Sequence, residues 1–270
     1  MQADESLDDA IAVSRNFYGV LRVKEEEAGD PNRHHRTLMH GRIVHGLQFQ
    51  AENKRLLPTA YFGRNSGAGR ILRAARAQGP IRVGIVELGV GTLATYGRPG
   101  DSYRFYEINP EVIRLANRYF TFLTDCQAQV EHIVGDARLS LEHEPSQQFD
   151  VLILDAFSGD AIPAHLLTRK AGEIYRRHLK PEGVLAVHIS NLHFDLRPVV
   201  AGLGEHLGLV SAAVFSKRND ELGTKNSLWM VLSRDADRLQ FDDVDEVPLP
   251  PNNRRFLWTD HRSNLFEILR

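Results

Sequence analysis

The 270-residue sequence holds one cysteine, Cys126. A single thiol excludes an internal disulfide framework and fits a reducing compartment. No apolar run approaches the ~18 residues that a membrane-spanning helix needs. Charge of one sign is lacking too: 33 Lys and Arg stand against 35 Asp and Glu, a formal net charge of −2. That balance leaves no electrostatic footprint for nucleic acid or for an anionic membrane. The opening residues MQADESLDDAIAVSRN are acidic and lack the basic-then-apolar order of a secretory signal. No internal repeat or low-complexity segment is evident. Together these absences predict a cytoplasmic protein with no nucleic-acid partner and no membrane span.

Residues 17–23 (FYGVLRV) and 37–49 (TLMHGRIVHGLQF) are rich in β-branched and aromatic residues and read as two strands. The polar KEEEAGDPNRHH between them reads as a turn. A helix is expected over residues 67–78, ended by Gly79-Pro80. From Ile81 onward buried strands alternate with helices, which predicts a doubly wound, mostly parallel, Rossmann-like sheet. The expected organisation is an α/β fold: an N-terminal β-hairpin domain over 1–62, then a nucleoside-binding catalytic domain over 63–270.

Ligands on such sheets bind beyond the C-terminal strand ends. The first strand runs into ELGVG, where Glu87, Gly89 and Gly91 precede a predicted helix start, so backbone N–H groups can approach a ligand. Gly89, Gly91 and Ala94 also fit the dinucleotide spacing, with Glu107 near the expected ribose-binding acid. The second strand ends in Glu107 of FYEINP, the third in Asp136 of GDA, and the fourth in Asp155 of LILDAFSGDAIP, with Asp160 nearby. Any one of these acids could simply cap the next helix. Four consecutive strand ends, each bringing a glycine or an acid to one edge, exceed what a dinucleotide requires. They favour S-adenosylmethionine or a derivative of it.

These residues resemble the spermidine synthase (aminopropyltransferase) family, which is built on the class I S-adenosylmethionine methyltransferase fold. The resemblance runs from the N-terminal strands through ELGVG, YEINP, GDARLSL and LDAFSGDAIP to SLWMVLS. The tail LWTDHRSNLFEIL resembles a bacterial subgroup fused to a transporter-like membrane region. The resemblance implies that Glu107 holds the donor's ribose, while Asp136 and the backbone of Ala137 hold the adenine. Glu87, Gly89 and Gly91 fall in the donor-binding turn. Asp155 matches the first acid of the family's D-S-S-D-P motif, which positions and helps deprotonate the attacking amine; Asp160 is the candidate for the second, at a stretched spacing of five residues instead of three. Tyr61 would line the amine pocket. The implied co-substrate is decarboxylated S-adenosylmethionine or S-adenosylmethionine itself, without a metal. The implied partner is a small-molecule amine, and a homo-oligomer is usual for the family.

Several positions depart from the family. Val90 stands where an aspartate grips the donor's aminopropyl nitrogen, Tyr61-Phe62-Gly63 replaces Y-H-E, His45 replaces a glutamine, and TKNS replaces Y-P-S-G. Methyl transfer is therefore the alternative reaction, and a non-catalytic nucleoside-binding module the alternative class. A metal site is not expected from His34, His35, His40 and His45. His40 and His45, five apart on one strand, would face opposite ways. Trp229 and Trp258 are expected in the core.

Overall fold

The computed structural model describes residues 10–156, 163–241, 245–246 and 254–270. The chain opens with an antiparallel sheet of four strands in sequential order: β1 (Ala10–Asn16), β2 (Gly19–Glu26), β3 (His35–His40) and β4 (Ile43–Phe49). The sequence predicted two strands here. The weakly patterned Ala10–Asn16 hides β1, since its residues are exposed or half-buried and none reaches the core. Residues 37–49 read as one strand because hydrophobics continue across Gly41-Arg42, yet Gly41 (φ 58) turns the chain there. Helix α1 (Gly67–Arg76) follows, its N-terminus capped by Ser66 Oγ, which accepts from Gly69 N at 3.1 Å.

The larger sheet contains β5 (Arg82–Val86), β6 (Ser102–Glu107), β7 (Gln129–Val134), β8 (Phe149–Leu154), β9 (Leu179–His188), β10 (Val210–Ser216), β11 (Ser227–Ser233) and β12 (Asp245–Glu246). Its spatial order is β12-β10-β11-β9-β8-β5-β6-β7. The five strands from β9 to β7 pair in parallel, while β11, β10 and β12 are antiparallel. Helices α2 (Pro110–Tyr119), α3 (Ala137–His143), α4 (Arg169–His178) and α5 (Arg197–Leu207) complete the doubly wound arrangement.

A strand buried on both faces sends alternate side chains into two cores. Val151, Ile153, Ala186, Trp229 and Val231 point into one, shared with α1, α2 and with Leu21, Val23 and Leu38 of the small sheet. Leu152, Leu154, Leu185, Met230 and Leu232 point into the other, against α3, α4 and α5. Trp229 and Trp258 are both buried, as expected. Among the described residues no helix is long and apolar enough to cross a membrane.

Candidate active site

Strands β5 and β8 are neighbours at which the winding changes direction: β6 and β7 extend the sheet on one side, β9 on the other. Open α/β sheets form their ligand crevice at such a point, beyond the C-terminal strand ends. Beyond β5 the backbone is left-handed at Glu87 (φ 72), Gly89 (φ 55) and Gly91 (φ 83). For Glu87 this costs ~1–2 kcal/mol, since its Cβ crowds a carbonyl in that region. Its N–H donates to Tyr106 O at 2.9 Å. Burial, then the charges of Asp155 and Glu107, push the Glu87 carboxyl well above the usual carboxylate range.

Glu107 ties this turn to the start of α2. Its Oε2 accepts from Leu88 N at 3.0 Å and its Oε1 from Asn109 N at 2.9 Å. Burial raises its pKa, and these backbone donors partly offset the rise. Each oxygen keeps a lone pair for a further donor. The helix predicted after ELGVG is only a 3-10 turn over Thr92–Tyr96, entered through the left-handed Gly91. Thr92 Oγ1 is buried there with no hydrogen-bond partner among the described residues.

Asp136 caps α3, its Oδ1 accepting from Leu139 N at 2.9 Å, and its Oδ2 lies 3.2 Å from His165 Nε2. Ala137 is buried directly behind it. Asp155 follows β8, its N–H directed to Val86 O at 3.3 Å. Its Oδ1 lies 2.6 Å from Nδ1 of His188, the last residue of β9. His188 Nε2 lies 2.7 Å from Ser190 Oγ, which also accepts from Leu228 N at 2.8 Å. The bonds close with the proton on His188 Nδ1, donated to Asp155, and the Ser190 hydroxyl donated to Nε2. The imidazole is held between Tyr61 (centroids 4.8 Å apart) and Trp229 (4.7 Å, 21° between planes). Burial and the charge of Asp155 raise the Tyr61 phenol above its ordinary pKa.

The structure thus brings Glu87, Gly89, Gly91, Glu107, Asp155 and Tyr61 to one crevice, with Asp136 and Ala137 at the neighbouring strand end. Asp160 lies outside the described residues. Sequence reasoning missed His188 and Ser190. The signal was available, since HIS closes the fifth parallel strand and so reaches the same edge as Asp155. The expectation for His40 and His45 is corrected. They lie on successive strands, and a bulge between Leu38/Met39 and Val44/Gly46 leaves His45 as the extra residue. Their rings therefore meet, with centroids 5.4 Å apart. His40 Nε2 is bonded to Tyr18 O at 2.7 Å, and burial, aided by His40, lowers His45 to about 4.

The solved structures that resemble this chain include a probable spermidine synthase from Corynebacterium glutamicum (TM-score 0.61, 19% identity, 82% of this chain and 79% of that one). A spermidine synthase from Thermotoga maritima gives a TM-score of 0.59 at 14% identity, with 94% of this chain and 82% of that one covered. The fold is that of the spermidine synthases. A spermidine synthase in complex with the transition state analogue AdoDATO shares this spermidine synthase fold (TM-score 0.57, 12% identity, 94% and 82% covered). In sequence, the chain is 33% identical over 114 residues to the polyamine aminopropyltransferase of Vibrio vulnificus, covering 40% of this chain and 38% of that protein. It is 26% identical over 210 residues to a probable polyamine aminopropyl transferase of Bifidobacterium longum, covering 76% and 42%. The chain spans about two fifths of the length of these relatives. No protein-family model matches it.

Proposed function

We propose that this chain transfers an aminopropyl group from decarboxylated S-adenosylmethionine to an amine and releases methylthioadenosine. The observation that carries the reading is the Asp155–His188 pair at the switch point, beside the carboxyl groups of Glu87 and Glu107. Three acids around a glycine turn suit a cationic sulfonium nucleoside and oppose a pyrophosphate, which weighs against a dinucleotide. In this reading Glu107 takes the ribose diol. Asp136 and the Ala137 N–H take the adenine, and Glu87 with the Gly89–Gly91 turn takes the donor's charged tail.

Transfer requires a neutral amine in line with the departing sulfur. An alkylamine with a pKa near 10.4 is neutral in only about one molecule in 10³ at pH 7, so freeing its lone pair costs ~4–5 kcal/mol. A carboxylate is a weak base for that task. Asp155 instead accepts an N–H and fixes the lone pair toward the donor carbon, while Tyr61 and the indole of Trp229 keep the site dry. The nitrogen lone pair forms the C–N bond as the S–C bond breaks. Both electrons of that bond stay on sulfur, which becomes a neutral thioether. The new ammonium gives up its proton past Asp155 to solvent.

Methyl transfer is the second reading, favoured by one observation: Val90 is buried, so that position offers no acid to the donor's aminopropyl nitrogen. Mass spectrometry of the nucleoside product tests both. Methylthioadenosine appearing only with an added amine, and lost in Asp155→Asn with donor affinity kept, supports the proposal. S-adenosylhomocysteine would assign methyl transfer, and donor binding without turnover would assign a non-catalytic module.

A further inference from the structure

A second cavity, of about 440 Å³, lies between α1, the segment that follows β4 and the 3-10 turn opened by Gly91. It shares no lining residue with the candidate active site. Its size falls in the ~300–1,000 Å³ range of small-molecule sites. Four guanidinium groups line it: Arg64, Arg73 and Arg76 of α1, and Arg98. Backbone carbonyls aim two of them. Arg73 donates from Nη2 to Arg64 O at 2.9 Å and from Nε to Gly69 O at 3.3 Å. Arg98 Nη1 donates to Thr95 O and Gly97 O, each at 3.2 Å. Arg76 Nη2 donates to Pro99 O at 3.3 Å, and its Nε lies 3.0 Å from Oδ1 of the fully buried Asp101. That carboxylate is already engaged by Ile81 N and Arg98 N. Each guanidinium therefore keeps further N–H donors beyond those its bonds use.

The walls are set before any ligand arrives. A Cβ on Gly69 would overlap both Tyr96 Oη and Gly63 O, so α1 is pressed against the 3-10 turn. The Tyr96 hydroxyl donates to Phe62 O at 2.5 Å. Burial raises the pKa of this phenol, and the charges of Arg73 and Arg64 oppose the rise, which places both cations within reach of one hydroxyl. Leu56, Pro58 and Leu72 add an apolar side next to Tyr96. Like charges around one space repel, and an anion bound among them removes that cost. A single carboxylate engages one guanidinium fork, whereas a chain of phosphates presents oxygens to several. We propose that this cavity binds a small molecule carrying two or more linked phosphate groups, gripped by Arg64, Arg73, Arg76 and Arg98. Nucleoside polyphosphates and inorganic polyphosphate share that chemistry; the first would also lay a base against the apolar side.

Calorimetry of the whole chain with ATP and with inorganic tripolyphosphate, both free of divalent metal, tests the site. The expected result is saturable binding that weakens with added salt. Tighter binding of ATP would assign the base to the apolar side, and equal affinity would make the phosphate chain the whole determinant. Arg64 is exposed, so Arg64→Glu should fold; it should weaken binding about tenfold or more, because a charge-assisted contact becomes a repulsion. Arg64→Gln, which removes the charge alone, should fall between that variant and wild type. Arg15→Glu makes the same change of charge on the exposed Arg15 of β1 and should leave affinity unaltered. Each titration is repeated with excess methylthioadenosine, since the nucleoside of ATP could enter the crevice beyond β5. Binding that persists there and depends on Arg64 upholds the inference. Absence of saturable binding of either probe up to about 1 mM overturns it. So does displacement by methylthioadenosine, an unaltered affinity in Arg64→Glu, or an equal loss in Arg15→Glu.

Discussion

The side chain of Val90 lies against the bare Cα of Gly46, so that a Cβ on Gly46 would overlap the Val90 Cγ2 methyl. One residue earlier on each segment, the carbonyl of His45 fills the space a Cβ on Gly89 would need. Strand β4 is thus seated directly on the glycine turn of the candidate donor site. Val90 does not face the crevice as a substitute for an acid. It is a buried contact between the small sheet and the turn, 1% exposed.

Two substitutions test that seating. Gly46→Ala overpacks the contact and should cost ~1–3 kcal/mol. Val90→Asp would place a charge among apolar atoms with no partner and should cost several kcal/mol, the order expected for an uncompensated buried ion. Urea midpoints measure both. A Val90→Asp protein with an unchanged midpoint would place the side chain in solvent and refute the packing role.

If Glu87 contacts the donor, donor binding is expected to be pH-dependent. Burial and its two acidic neighbours raise its pKa, so stability associated with its protonated form is complete below the ordinary value of 4.5 and is lost as pH rises through the raised value. Glu87→Gln removes this slope, and the variant should gain stability relative to wild type across that window. A cationic donor favours the ionised form, so binding should expel a proton, and affinity should rise with pH in wild type but not in Glu87→Gln. Calorimetry in two buffers of different ionisation enthalpy counts the proton; no release in that window would contradict the assignment.

The parallel half of the fold was legible in the sequence because each strand is a short apolar run bounded by turn residues, and each ends on a chemically distinctive residue. Glu107, Asp136 and Asp155 could be placed on one edge from that alternation alone. The small sheet was less legible. Strand β1 lacks a buried side, and the β3–β4 turn sits inside a continuous hydrophobic stretch. The bulge at His45 cannot be read from period-two alternation, because one extra residue reverses which face follows. His188 was missed for another reason. A histidine at a strand end gains meaning only through a tertiary partner, here Asp155, 33 positions away in the chain.

Glu107→Gln should disturb both fold and site. The carboxylate accepts from two buried backbone donors, Leu88 N and Asn109 N, one on each oxygen. An amide presents one oxygen and one NH2, so one of those N–H groups must face another donor. The expected cost is ~1–3 kcal/mol, or a Tm lower by a few degrees for a chain of this size. Donor affinity should fall as well, because the displaced Leu88 belongs to the glycine turn. A thermal melt with and without donor separates the two effects: a variant as stable as wild type would show that the paired hydrogen bonds contribute little.

His188 is expected to act through Asp155 as a positioning residue. Its Nδ1–H holds one carboxylate oxygen at 2.6 Å, which leaves the other to receive the amine, and Ser190 and Leu228 fix the ring from the far side. His188→Ala removes that donor and also leaves a cavity between Tyr61 and Trp229, so a loss of stability alone would be ambiguous. His188→Asn keeps an N–H directed at Asp155 while losing the link to Ser190. Kinetics of methylthioadenosine release should therefore rank wild type above His188→Asn above His188→Ala, with kcat falling about tenfold to 10²-fold in the alanine variant, at the lower end of what proton-handling groups contribute. KM for the donor should change little, because no donor contact is assigned to the ring. The asparagine variant carries the decision. If it is as slow as alanine, the imidazole contributes more than an oriented donor, and if alanine matches wild type in kcat, Asp155 is held in place without it.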